Sequence, residues 1–211
     1  MTSADTPACT VQHLSYRETG RFSGLVTDYL EGETALRALW PFAPSAEGLD
    51  AAVEAIDAFA HPREALRHAL EAQYEGLPEQ PAVRQGIEAL GGDGLAVVTA
   101  HQLNLFTGPL YVILKTVSAI RLARQLAERH PGRRFVPVFW LGTEDHDFAE
   151  INHFHLFGRR LAWEREAGGP CGRLDLGGLD AVYAELDGML RDDDHAESLR
   201  ALFREAYDGP G

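Results

Sequence analysis

Residues 96–158 read AVVTAHQLNLFTGPLYVILKTVSAIRLARQLAERHPGRRFVPVFWLGTEDHDFAEINHFHLFG, and the fold turns on this stretch. A short apolar run, LAVVT (residues 95–99), stands directly behind Gly91, Gly92 and Gly94. β-Branched residues, short length and turn residues in front mark a buried strand. The polar loop AHQLNLFT (residues 100–107) follows, and Gly108-Pro109 opens a long segment that runs to Arg129. Proline suits the first helical position, where its missing N–H has no intrahelical partner to lose. Leu110, Ile113, Leu114, Val117 and Ile120 recur at steps of three and four, and Val112, Ala119, Leu122, Ala123 and Leu126 widen the apolar face. So broad a face predicts a mostly buried helix, ended by His130-Pro131-Gly132. FVPVFWL (residues 135–141) reads as a second buried strand, with Pro137 expected at an edge, a bulge or the strand start. The loop GTEDHDFAE follows at once.

Strand, helix, strand over this length predicts a βαβ unit with parallel strands and a right-handed crossover. Ligands of open α/β sheets bind beyond the carboxyl ends of the strands. Both polar loops lie at carboxyl ends, so they are expected to share one edge of the sheet and form a site there.

Outward from this unit, residues 1–90 read as a mainly helical lead-in behind a polar leader. Helices are expected over residues 25–30, 34–40, 49–59, 62–74 and 81–90, with Pro41 and Pro44 as breaks. After the core (residues 91–158), residues 153–157 and 161–166 suggest a hairpin, residues 171–176 a short strand, and residues 179–190 and 195–207 amphipathic helices. An aspartate of Asp192-Asp193-Asp194 is placed to cap the last one. Residues 159–211 thus form a small β-hairpin and helical insertion, and the DGPG end looks like an interruption.

The chain has 211 residues, 45% hydrophobic and 24% charged, which suits one good core. Its net charge of −13 argues against nonspecific nucleic-acid binding and against an anionic membrane surface. Cys9 and Cys171 make neither a disulfide framework nor a metal-cluster spacing, and the first ten residues resemble no signal peptide. A cytoplasmic location is expected.

Glu144-Asp145-His146-Asp147 is the densest chemistry. Mutual repulsion among its carboxylates calls for protonation, a metal or a cationic substrate; the bland alternative is a solvated turn of charges. Glu150, His153 and His155 could extend it into a metal-dependent hydrolase site, but the spacing matches no strong template, so no metal is expected. His101, Gln102, Asn104, Thr107 and Gly108 stand beside a helix N-terminus that favours anions, although Thr107 or Asn104 could simply cap that helix. Neither a G-x-G-x-x-G nor a Walker loop is present. Taken alone, Lys115 reads as a solvated lysine, Trp140 as core rather than a stacking platform, and Asn152 as the start of the hairpin.

HQLNLFTGPLYVILKTVSAIRLA (residues 101–123) together with PVFWLGTEDHDFAEINH (residues 137–153) resembles the bacillithiol biosynthesis cysteine-adding enzyme family. The likeness extends weakly from the PREAL helix to CGRLDL and LFREAY, so it covers most of the chain. It implies an α/β fold with a Rossmann-like parallel core, and a ligase that joins L-cysteine to glucosaminyl-malate in the last step of bacillithiol synthesis. Amide formation implies carboxyl activation by ATP or another activated donor. The resemblance places Asp145, His146 and Asp147 as catalytic residues. It places His101, Gln102, Asn104, Thr107, Gly108, Lys115, Trp140, Glu144, Asn152 and His153 as substrate- or cofactor-binding. Family loops usually open Gly-Gln-Gln where this chain has Ala-His-Gln, and valine is common where Cys171 stands. Members are more than twice as long, which implies an incomplete core here, an open sheet edge and exposed apolar surface. A homodimer is expected where the family's coiled coil is present. A noncatalytic binding or assembly fragment is the reading from another class.

Overall fold

A computed structural model describes residues 11–207. Residues 1–10 of the polar leader, Cys9 among them, and the DGPG end lie outside the described residues. The chain divides into two compact units, residues 1–61 and residues 62–211, so the helical lead-in is shared between them.

In the first unit, helix α1 (Gly24–Glu31) ends at Gly32, whose φ of 74° lets its N–H turn back to the carbonyls of Asp28 and Tyr29. Arg17 pairs with both Asp28 and Glu31. The helix expected over residues 34–40 shrinks to a single 3-10 turn, Thr34–Leu36, because Pro41 biases the residue before it away from helical angles. Helix α2 (Ala46–Ile56) is capped by Ser45, whose hydroxyl accepts from Gly48 N–H.

The second unit opens with α3 (Arg63–Gln73) and α4 (Pro81–Gly91), which pack on each other. Arg63 donates to the carbonyls of Leu90 (3.2 Å) and Gly94 (2.8 Å), fixing the turn into the sheet. Strands β1 (Leu95–Gln102) and β2 (Phe135–Gly142) then pair in parallel, in register from Leu95 opposite Phe135 to Gln102 opposite Gly142. Helix α5 (Leu110–Arg129) crosses between them and packs on both strands, as does α4. The strand–helix–strand order and the parallel pairing are as expected, and the two carboxyl ends lie side by side. Pro137 sits within β2 opposite Val97; its nitrogen is tolerated there if it faces away from β1.

Two expectations about burial fail. On α5 only Ala119, Ala123 and Leu126 are buried, while Leu110, Leu114 and Val117 are more than half exposed. Trp140, expected in the core, is 62% exposed, and Val98 is similarly open. A two-stranded sheet covers only one stripe of a helix, so the remaining apolar face of α5 stays exposed among the described residues.

A single turn, α6 (Phe148–Ile151), leads into the hairpin β3 (His153–Leu156) and β4 (Arg159–Ala162). Its two turn residues, Phe157 and Gly158, both have positive φ (48° and 77°), the tight turn that matches strand twist. Residues 171–176 form no strand. Cys171–Arg173 is a 3-10 turn whose first two N–H groups bond the loop after β2 instead of a ladder. Helices α7 (Leu179–Met189) and α8 (Asp194–Tyr207) complete the unit, and Asp193 Oδ1 caps α8 by accepting from Ala196 N–H at 2.9 Å. A hydrophobic core is built from Leu105 and Phe106 of the loop after β1, Phe154 and Leu161 of the hairpin, Trp163 just beyond it, and Leu179, Val182 and Leu186 of α7. Thus the loop after β1 buries Leu105 and Phe106 in this core rather than against the parallel sheet.

Candidate functional site

The parallel register brings the end of β1 beside the end of β2, and one side chain joins them. Gln102 donates one amide proton to Asp145 Oδ2 at 2.9 Å and the other to Glu150 Oε2 at 3.0 Å. One side-chain amide thus holds the Asp145 and Glu150 carboxylates together. Asp145 also accepts from Asp147 N–H at 2.8 Å. That backbone donor, then Gln102, holds the Asp145 carboxyl below its ordinary value. No lysine or arginine pairs with Asp145 or Glu150 among the described residues.

The loop after β2 is latched from behind. Cys171 N–H donates to Asp145 O (2.7 Å) and Gly172 N–H to Thr143 O (2.9 Å). A Cβ on Gly172 would stand 2.6 Å from the Thr143 Cβ, so only glycine fits this approach. Burial, reinforced by Asp145 and Asp147, pushes the Cys171 thiol up, which keeps it protonated and a poor nucleophile. His146 lies close to Glu144 O through Nδ1, at 3.1 Å. A proton on Nδ1 serves that contact and leaves Nε2 as an open acceptor. The Glu144 side chain itself is exposed.

The loop after β1 carries a second cluster. Asn104 donates to Gln102 O at 2.9 Å and to His101 Nδ1 at 2.6 Å. His101 then carries its proton on Nε2 and donates it to the Tyr111 hydroxyl, whose own proton faces elsewhere. Lys115 Nζ donates to Ala100 O at the end of β1 and lies 5.9 Å from the Tyr111 ring centroid; it is not merely solvated. Neither Thr107 nor Asn104 caps α5. Pro109, expected as its first helical residue, is instead its N-cap, with no side-chain bond, and the helix starts one residue later at Leu110. The first N–H groups of α5 thus lack a side-chain cap, next to Tyr111. Phe106, Thr107 and Gly108 all have positive φ (45°, 69° and 57°).

Asp145, Gln102 and, through them, His101 and Asn104 form one connected group. Asn152 and His153 form another: Asn152 exchanges backbone and side-chain bonds with Trp163 and accepts from His153 Nδ1 at 3.1 Å, an arrangement that starts the hairpin. Trp140 is exposed on β2 opposite Ala100. The sequence reading gives Tyr111 no role and treats Glu150 chiefly as a metal ligand. Tyr111 is legible only as a polar tip one turn beyond the loop. Among the described residues no group of three or more His, Cys, Asp or Glu is placed to hold a metal ion, and no helix is long and apolar enough to cross a membrane. The cavity of about 310 Å³ lined by Phe106, Leu179, Tyr183, Phe203, Arg204 and Tyr207 borders none of these polar groups.

The N-terminal Rossmann-like domain of bacillithiol biosynthesis BshC matches residues 9–210 of this chain. A Flavobacterium johnsoniae protein named "Putative cysteine ligase BshC" is 37% identical over 198 residues, covering 92% of this chain and 37% of that protein. Proteins of the same name from Cytophaga hutchinsonii and Salinibacter ruber are each 40% identical, over 176 and 156 residues. Those matches cover 83% and 69% of this chain but 34% and 28% of the relatives. The chain therefore spans about a third of the length of these curated relatives.

Proposed function

Since the chain belongs to the bacillithiol biosynthesis BshC family through its N-terminal Rossmann-like domain, we propose that it supplies the amine-binding half of a cysteine ligase site. In this reading L-cysteine is joined by an amide bond to the amino group of glucosaminyl-malate. ATP or another activated donor serves as co-substrate for the carboxyl. The observation that carries the reading is Gln102 holding the Asp145 and Glu150 carboxylates side by side, with no lysine or arginine among the described residues paired to either.

An amine arrives as an ammonium, and two adjoining carboxylates are a natural seat for it. Only the free amine attacks, so a proton must leave. Asp145 is a poor acceptor, because its donors hold the carboxyl below the ordinary range; it anchors the ammonium. His146, with Nε2 open, accepts the proton, and Asp147 orients the loop through its N–H bond to Asp145. The start of α5 with Tyr111 suits an anionic group, from a phosphate or from malate.

The test is a mass-spectrometric ligation assay with L-cysteine, glucosaminyl-malate and ATP. This chain is assayed alone and with the C-terminal remainder of a relative. Product is expected with the unmodified chain, and Asp145→Ala and His146→Ala are each expected to lower it at least ~100-fold without loss of helical signal. Near-normal turnover in both variants would remove the loop from the mechanism.

A further inference from the structure

We infer that Tyr207 is a positioning residue for this site: its hydroxyl fixes the loop after β1 in the conformation that sets Gln102 against Asp145 and Glu150. The inference rests on taking the Gln102 cluster as the site. Phe106 N–H donates to the Tyr207 hydroxyl at 2.9 Å. Phe106 and Thr107 are consecutive non-glycine residues at positive φ, 45° and 69°. Such a pair persists only where the surroundings over-determine it. The Phe106 ring is 5% exposed, with the rings of Phe154, Phe203 and Tyr207 at centroid distances of 5.4, 4.8 and 4.9 Å. Packing fixes where the ring goes. The hydrogen bond fixes the peptide plane, because a buried N–H must find an acceptor.

From there the constraint passes back along the chain. Gly108 folds so close that a Cβ on it would stand 2.5 Å from the Asn104 Cβ. Asn104 in turn holds the Gln102 carbonyl and the His101 ring, and Gln102 reaches Asp145 and Glu150. Without the hydroxyl, the Phe106 peptide rotates to find another partner, Asn104 loses its seat and Gln102 its aim. Tyr207 does not touch the reacting groups; it acts through Phe106.

The test compares the full ¹⁵N-labelled chain with Tyr207→Phe and Tyr183→Phe by amide exchange and side-chain amide resonances. Tyr183 shares the ring cluster, but its hydroxyl donates to Arg200 O. In Tyr207→Phe the Phe106 amide is expected to exchange at least ~10-fold faster, and the Gln102 side-chain resonances to shift. Slow amides of α5 and β2 stay as they were, and Tyr183→Phe changes neither reporter. Unchanged reporters in Tyr207→Phe, or equal acceleration of every slow amide, would overturn the inference. Should Tyr207→Phe not fold, Thr107→Gly is added, since glycine adopts positive φ without strain. Recovery of the fold and of the Gln102 resonances supports the inference, and no recovery defeats it. None of these readouts needs ligation, so the failure of the ligase reading and the failure of this one are separable.

Discussion

The loop after β1 and the loop after β2 meet at Gln102, yet opposite means hold them. The first stores strain: two successive non-glycine residues at positive φ, Phe106 and Thr107, kept in place by a buried phenylalanine and a tyrosine hydroxyl. The second is nearly strain-free and is latched by backbone bonds from Cys171 and Gly172 and by its own Asp147 N–H. Burying a phenylalanine contributes about 2–3 kcal/mol, which is the size of the strain at one such residue. The first loop therefore has little stability to spare and depends on side chains far along the chain. The second depends on one segment of backbone coming close.

Substitutions can break this contrast. Gly108→Ala should have the largest effect, because a Cβ there meets Asn104 at 2.5 Å in a backbone conformation that suits glycine. A loss of about 3–4 kcal/mol in urea unfolding is expected, and a benign alanine would remove strain from the account. Gly172→Ala comes next. It presses on Thr143 and should cost about 1–3 kcal/mol, with amide shifts centred on residues 143–147 rather than 104–108. If the shifts centre on the first loop instead, the two are not held separately.

Gln102→Leu should move the melting temperature by no more than about 2 °C, while ligation falls at least ~100-fold through misplaced carboxylates. Equal loss of stability and activity would make Gln102 a structural strut. The smallest effect is on the acid side. Asp145 titrates lower in the fold than its ordinary 3.8, so its stabilisation is complete above that value and is lost as pH falls through the lower folded one. Asp145→Asn should flatten acid unfolding slightly below about pH 4. Asp175, held down to about 2 by Arg165 outside the site, provides the reference titration.

How far all this is legible in the sequence follows from the range of the forces involved. β1, α5 and β2 announce themselves through local periodicity and turn chemistry, as does a hairpin after them, although its second strand is residues 159–162 rather than 161–166 because the turn is Phe157-Gly158; parallel pairing then puts both loops on one edge. The left-handed Phe106 and Thr107 leave no local mark, because neither residue type favours that region and the cause is Tyr207. Residues 171–176 read as a short strand from local sequence, but the N–H groups of Cys171 and Gly172 bond the loop after β2 instead. The exposed Trp140 and Leu114 look buried for a similar reason: hydropathy describes what a residue seeks, not whether anything is there to cover it.

That uncovered face of α5 has a colloidal consequence. Leu110, Leu114 and Val117 make an adhesive stripe on a particle whose charge of −13 repels its neighbours. At low ionic strength the repulsion reaches well beyond the stripe; at 1 M salt it reaches only about 3 Å. Solubility of this chain should therefore fall as salt rises, with the onset of light scattering marking where apolar adhesion overtakes like-charge repulsion.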